Sequence, residues 1–345
     1  LCYHQDIKKL IRKNITIVLF IIALGGVSIS IAHLPYLALY KWLKLVEIIL
    51  VFGLFSKTSL NKSLLLKTLL ASTLIQIGLV FCQLYLQSSP QGMWYYLGER
   101  LFSSATPGIA KISLLGIESI RPYGTFSHPN SLAGYFLLVF VFLMTTKFDK
   151  KDRVFYYLGL VCSAFLVLFS CSKLAVGVGM LVAVIYFSFN SGHLSLLKKF
   201  LLFIFSLLVL CFTFFVFRAF SGDPFSFSKR LDLFLFTLKD IQRHWLLGVG
   251  LGNHVDGIKA FPSRYSYFFL QPVHSIYLLL IHEVGVPIFL FCSYWFANAV
   301  NWKDKRFVAC LMVVLLTGLG DHYWLTLQQN MLVMGAVLGI CKSTD

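Results

Sequence analysis

The sequence predicts an all-α fold, a polytopic membrane helix bundle, and three observations predict it. Mean hydropathy is +0.79. Hydrophobic residues make up 58% of the 345-residue chain and charged residues only 13%, against roughly a quarter charged in soluble domains. Apolar runs of about twenty residues, the length that crosses a bilayer, recur along the chain.

Those runs fall at 14–32, 36–55, 64–86, 130–146, 154–170, 172–190, 200–219, 275–296, 307–320 and 322–341, giving about ten predicted transmembrane helices in one integral membrane domain over 1–345. Basic residues mark alternate connections. Lys8, Lys9, Arg12 and Lys13 precede the first run, and Lys57, Lys62 and Lys67 flank the second connection. Lys147, Lys150, Lys151 and Arg153 follow the fourth run, Lys198 and Lys199 the sixth, and Lys303, Lys305 and Arg306 the eighth. The positive-inside rule then puts both termini in the cytoplasm and makes the interval 220–273 a long external loop. The chain opens on Leu1, which reads as a fragment lacking some N-terminal sequence. Its basic start and first apolar run suit a signal anchor or an ordinary first helix.

The net charge of +16 follows largely from that alternation. The cations are dispersed among short loops and form no single stripe, which argues against nucleic acid as a partner. The outer connections nevertheless retain Arg100, Lys111, Arg121, Lys173, Lys229, Arg230, Lys239, Arg243, Lys259 and Arg264, an excess that calls for a reason. Cys82, Cys162, Cys211, Cys292 and Cys310 lie inside the runs as small hydrophobes. Their spacing gives neither a disulfide framework nor a metal site.

The first three runs carry little chemistry. Lys44 and Glu47 stand three residues apart on the second and form an expected interfacial pair. After an aromatic cluster at Trp94, Tyr95 and Tyr96 comes Arg121-Pro-Tyr-Gly-Thr-Phe-Ser-His128-Pro-Asn130. Ser127 or His128 caps a helix with Pro129 in its first turn. The positive end of that helix, a few residues from Arg121, offers an anion site; the alternative is a simple helix start with Arg121 at the headgroups.

Lys173 stands at the outer end of the sixth run, as a snorkelling anchor or a ligand. In the loop, Ser228 is placed to cap a helix over Lys229–Leu247. Leu231, Phe234, Leu235, Leu238, Ile241 and Trp245 share one face, the pattern of an interfacial helix. Gly248, Gly250 and Gly252 read as its stop and turn, since no strand precedes them as a dinucleotide fingerprint requires. His274 falls at the outer N-terminus of the eighth run, Glu283 about two turns deeper in an internal hydrogen-bond network, and Asp321 and His322 open the last.

These segments resemble a known family. Arg121–Tyr135 is similar to the R-x-x-G-T-F-x-H-P-N-x-L-A signature of the O-antigen ligase and O-antigen polymerase superfamily. Ser172-Lys173 stands where many members have Ser-Arg, and Ser228–Asn253 resembles their S-x-R … G-x-G-x-G-N loop. His274–Gly285 resembles H-S-x-Y-L … E-x-G, and Asp321–Gly339 their last helix. The resemblance spans about residues 90–341, in family order. Lys173 departs from it, because a point charge replaces a planar bidentate donor.

The resemblance implies a glycosyltransferase C-like bundle in the bacterial plasma membrane, multi-pass, with its active site facing the periplasm or exterior. It implies metal-independent, inverting transfer of a glycan from undecaprenyl diphosphate to an acceptor hydroxyl, with no cofactor. Lipid A core, a growing glycan or a protein are the implied acceptors, and membrane lipids the surroundings. Ligase, polymerase and protein O-oligosaccharyltransferase activities all fit.

The expected roles are Arg121, Lys173 and Arg230 on the diphosphate and His274 on the attacking hydroxyl, with His128, Asn130, Glu283, Asp321 and His322 in support. A polysaccharide flippase or transporter would instead want ionisable residues at mid-membrane and paired broken helices. A non-catalytic scaffold would give no reason for these cations to share a side.

Overall fold

The computed structural model describes residues 15–114, 117–190, 195, 204, 226–259 and 270–342. The first basic cluster, Lys198, Lys199, Arg264 and nearly all of the expected seventh span lie outside the described residues.

In chain order the helices begin with α1 (Ile15–Ile31), α2 (Pro35–Lys57), α3 (Lys62–Leu86) and the single turn α4 (Met93–Tyr96). The strands β1 (Lys111–Leu114) and β2 (Ile117–Ile120) come next. Then follow α5 (Pro129–Thr145), α6 (Arg153–Phe169), α7 (Lys173–Asn190), α8 (Ser226–Arg243), α9 (His254–Ile258) and α10 (Ile276–Val284). The described chain ends with α11 (Val286–Ala299), α12 (Lys305–Thr317), α13 (Tyr323–Thr326) and α14 (Gln328–Lys342).

The described residues are mostly helical, in keeping with the expected all-α class. Lys62–Leu86 and Lys150–Phe169 are long and apolar enough to cross a membrane, and four shorter apolar helices accompany them. Beyond those two, the expected count of about ten rests on the sequence. Two expected spans are interrupted. Gly285, at φ 83°, divides the run 275–296 into α10 and α11. Leu327, at ψ 118°, divides the last into α13 and α14.

A hairpin that the all-α reading did not anticipate joins β1 to β2 in antiparallel register, Lys111 opposite Ile120 and Ser113 opposite Glu118. Lys111 pairs with Glu118 at 3.3 Å, which gives a partner to one of the cations expected in excess on the outer side. Lys259, paired with Asp256, is another.

The chain forms two compact units. One comprises Leu1–Glu47, Leu231–Val273 and Tyr277–Ala299. In it the Lys44–Glu47 pair forms at 2.9 Å. From Leu231 onward, α8 buries Leu233, Thr237 and Asp240 on one stripe and exposes Leu231, Phe234 and Leu235. An apolar face turned outward suits an interfacial helix. The helix starts by Ser226 and stops at Arg243, short of the expected Leu247, because the chain folds back and the Gly248 N–H bonds the His244 carbonyl.

The turn at Gly248–Asn253 then docks on the end of α10. Val249 and Gly250 donate backbone bonds to His282 and Glu283, each at 3.0 Å, and Val286 donates to Trp245 at 2.7 Å. Gly248, at φ 74°, is required there, since a side chain would run into the Glu283 carbonyl.

The second unit comprises Ile48–Arg230, His274–Ile276 and Val300–Asp345. Its centre is α5, buried on almost every side, as befits a helix apolar all round. It packs against α6, α7, α12 and α14, and α6 packs in turn on α3. Leu74, Phe81 and Tyr85 on α3 and Val154, Val161 and Leu168 on α6 remain exposed.

Candidate functional site

The candidate site lies in the second unit, at the start of α5. His128 is the N-cap of that helix, with Nδ1 accepting from the Asn130 N–H at 3.1 Å, and Pro129 takes the first helical position. Of the two caps the sequence allowed, His128 is the one observed. A cap that accepts must be neutral at Nδ1. Burial, the neighbouring Arg121 charge and, less strongly, His274 and Arg230 lower this imidazole to about 3, with Asp321 opposing.

Arg121 leaves β2 with its N–H bonded to the Ala110 carbonyl at 2.9 Å. Its guanidinium is aimed by two directed bonds. Nε donates to the Ser170 carbonyl at 2.9 Å and Nη2 to Asn130 Oδ1 at 2.7 Å. Ser170 belongs to the tight turn before α7, where Cys171 adopts φ 52° and Ser172 N bonds Ser170 Oγ at 3.2 Å. That turn delivers Lys173 to the first position of α7. Burial lowers the Arg121 pKa, with the Arg230 charge adding to the effect and Asp321 opposing it. Arg121, Lys173 and Arg230 lie close enough for their charges to act on one another.

Asn130 passes the connection on, donating from Nδ2 to Asp321 Oδ2 at 2.8 Å. Asp321 Oδ1 accepts from the His322 N–H at 2.8 Å and stands 4.0 Å from His274 Nδ1. That separation exceeds a hydrogen bond, so His274 acts on Asp321 through charge, when protonated. Burial alone would raise the Asp321 carboxyl, but the imidazoles of His274, His322 and His128 outweigh it and hold the group below the usual carboxylate range.

His274 Nδ1 is buried and makes no hydrogen bond among the described residues. Its ring stacks on His322, centroids 5.4 Å apart. His322 Nδ1 meets Thr326 Oγ1 at 2.8 Å. Because Thr326 Oγ1 already donates to the His322 carbonyl, the imidazole must be the donor in that pair. His274 sits two residues before α10 rather than on its first turn. Ser275 separates it from Ile276, whose N–H bonds the Gly318 carbonyl at 2.9 Å.

Eight expected residues therefore come together: Arg121, His128, Asn130, Lys173, Arg230, His274, Asp321 and His322. Glu283 belongs to the other unit, where its carboxylate takes the backbone N–H groups of Gly252 and His254 near Lys41, an internal hydrogen-bond network.

His274, Asp321 and His322 offer ligand atoms within 4.8 Å of one another. Three neighbouring cations and the two hydrogen bonds already on Asp321 oppose a divalent ion there. The same cations favour an anion, and directed guanidinium donors suit phosphate oxygens.

Two constellations escaped the sequence reading. Gln76, Gln83 and Gln87 bond the segment around Arg121; polar side chains inside an apolar run were the signal that could have found them. In the other unit, Asp240 Oδ2 meets His282 Nε2 at 2.7 Å and His282 Nδ1 meets His254 Nδ1 at 2.9 Å. His254 Nε2 accepts from the Val273 N–H at 3.1 Å. Since Val273 only donates, each proton has one place: His254 carries its on Nδ1, and His282 carries its on Nε2, facing the carboxylate.

No protein-family model and no curated protein matches the chain.

Proposed function

We propose that the chain is a polytopic membrane glycan transferase, moving an oligosaccharide or polysaccharide from undecaprenyl diphosphate to an acceptor hydroxyl at the outer face of the plasma membrane. One observation carries the reading. Three cations from separate elements, Arg121, Lys173 and Arg230, share a neighbourhood with a partly buried imidazole beside a carboxylate. The exposed apolar faces of α3 and α6 suit lipid contact, and the mixture of anion-binding donors with an apolar surround suits a polyprenyl diphosphate.

In the proposed step, the acceptor oxygen attacks the anomeric carbon while the bond from that carbon to the diphosphate oxygen breaks. The acceptor proton passes to His274, and the leaving group departs as the undecaprenyl diphosphate anion. Nδ1 is buried, 4.0 Å from Asp321 Oδ1, so Nε2 is the atom that receives the proton in this reading, and the nearby Asp321 charge stabilises the imidazolium that results. General-base assistance of this kind is worth about 10²–10⁴ in rate. Arg121, Lys173 and Arg230 neutralise the charge that develops on the diphosphate. A single displacement inverts the anomeric carbon.

Replacing His274 by Ala is expected to lower the rate of transfer about 10²–10⁴-fold while leaving donor binding, which depends on the cations, intact. Unchanged transfer in that variant would remove His274 from the chemistry.

A flippase draws support from one feature, the interruption of the eighth expected span at Gly285 beside Glu283. That feature is weaker support, because backbone groups of the Gly248–Asn253 turn already occupy the His282 and Glu283 carbonyls. Transport activity without transfer would favour the flippase.

A further inference from the structure

We infer that Gln83, in the last turn of α3, is a positioning residue for Arg121; the inference rests on the transferase reading above for its effect on rate. Gln83 is fully buried in an apolar helix, at 0% exposure, and its hydrogen bonds go to Tyr123 and Gly124, just after Arg121, and to Glu99. Its Oε1 accepts from the N–H groups of Tyr123 at 2.9 Å and Gly124 at 2.8 Å. Its Nε2 donates to the Gly124 carbonyl at 3.0 Å and to Glu99 Oε1 at 2.8 Å.

Glu99 is itself buried and anchored, with Oε2 accepting from the Gln91 N–H at 2.8 Å. One turn beyond Gln83, Gln87 Oε1 accepts from the Ile120 N–H at 2.9 Å. One face of α3 and its cap thus grip the backbone on both sides of Arg121, at Ile120 before it and at Tyr123 and Gly124 after it.

The grip has a direction that simple packing lacks. Amide N–H groups point at Gln83 Oε1 and acceptors at Nε2, so the site distinguishes an amide from its carboxylate or apolar analogues. Gly124, at φ 57°, belongs to the same device, since a side chain there would strike Gln76. Gln76 fixes the next residue, giving and taking one bond with Thr125. A guanidinium that must meet a diphosphate and also reach Ser170 and Asn130 tolerates little backbone drift, and a misplacement of about 1 Å can cost on the order of 10²-fold in rate.

The test exchanges the two partners in the full-length protein. Gln83→Glu keeps the oxygen that accepts from Tyr123 and Gly124 but replaces the Nε2 donor by a second oxygen, which sets a carboxylate against Glu99 and the Gly124 carbonyl. Adding Glu99→Gln restores the Gln–Glu pairing with its direction reversed. The single variant is expected to lower kcat about 10- to 100-fold with KM little changed, and the double variant, which restores the pairing with residue 99 but not the bond to the Gly124 carbonyl, to regain part of that loss. A role in packing alone would not separate the two.

Gln83→Glu transferring at the wild-type rate, or a double variant no better than the single, would overturn the inference. Should wild-type protein fail to transfer at all, the transferase reading falls and amide exchange over residues 120–126 decides this inference separately. Faster exchange in Gln83→Met supports the grip, and unchanged exchange overturns it.

Discussion

Arg121 and Asp321, two hundred residues apart in sequence, are joined through one side-chain amide. Asn130 Oδ1 accepts from the Arg121 guanidinium at 2.7 Å while its Nδ2 donates to the Asp321 carboxylate at 2.8 Å. The amide holds a cation and an anion in register without letting them neutralise each other, which leaves the cation for a ligand and the carboxylate for an imidazole.

Asn130→Ala should therefore weaken both ends. Each buried charged group loses a hydrogen bond worth about 1.5–3 kcal/mol, and transfer should fall with donor affinity. Asn130→Asp should fail differently, since its new carboxylate repels Asp321 while still pairing with Arg121. Kinetics of both variants beside donor-binding measurements would check the distinction; an Asp variant as active as wild type would show that the bridge is unnecessary.

Arg121→Lys should behave nearly as badly as Arg121→Ala. The guanidinium is held by bonds from two different nitrogens, to Ser170 and Asn130, and an ammonium cannot reproduce that fork. A loss of about 10²–10³ in kcat is expected for a group that stabilises developing charge, measured as initial rates of transfer.

Stability should fall on acidification between the ordinary histidine pKa and about 3. His128 is neutral in the fold, lowered to about 3, so below pH 6.5 the unfolded chain binds the proton more readily. Its contribution is fully present above the unfolded value and is lost as pH falls toward the folded one, at no more than about 1.4 kcal/mol per pH unit. Thermal unfolding of wild type and His128→Asn across that window would read the difference. Because the amide oxygen of the variant caps without titrating, its curve should be flatter.

The buried line of Asp240, His282 and His254 should matter to stability in proportion to the partners left unpaired. Asp240→Ala strands the His282 Nε2 proton and should cost about 1–3 kcal/mol. Asp240→Asn keeps an acceptor oxygen in place and should cost less. Thermal unfolding in the same detergent would rank them, and equal losses would contradict the proton assignment.

Local rules in the sequence reached the His128-Pro129 helix start, the Lys44–Glu47 pair and the glycine turn at 248–252, because caps, i,i+3 pairs and positive-φ glycines are decided by neighbouring residues. The eight residues of the candidate site stood out in the sequence as charged and polar types at the ends of apolar runs or in the connections between them; that they come together was not legible there. The Gly285 break was hidden, since the apolar run continues through it and what holds it open is a hydrogen bond from Val286 to Trp245, 41 residues away. The β1–β2 hairpin was missed although Lys111-Ile-Ser-Leu114 alternates polar and apolar residues, because four residues are too few for a period to tell a strand from a turn. Gln83 was visible as a polar residue inside an apolar run, but its partners were not: helical spacing gives the face a side chain occupies, not the backbone it meets.

The most direct measurement supplies the purified full chain with undecaprenyl diphosphate carrying a glycan of defined anomeric configuration, and offers lipid A core, a glycan end and a protein hydroxyl as acceptors. The account predicts a new glycosidic bond of inverted configuration on one of them, with undecaprenyl diphosphate released in equal amount and both lost in Arg121→Ala. Release without a product bond, a retained anomer, or transfer indifferent to Arg121 would contradict it.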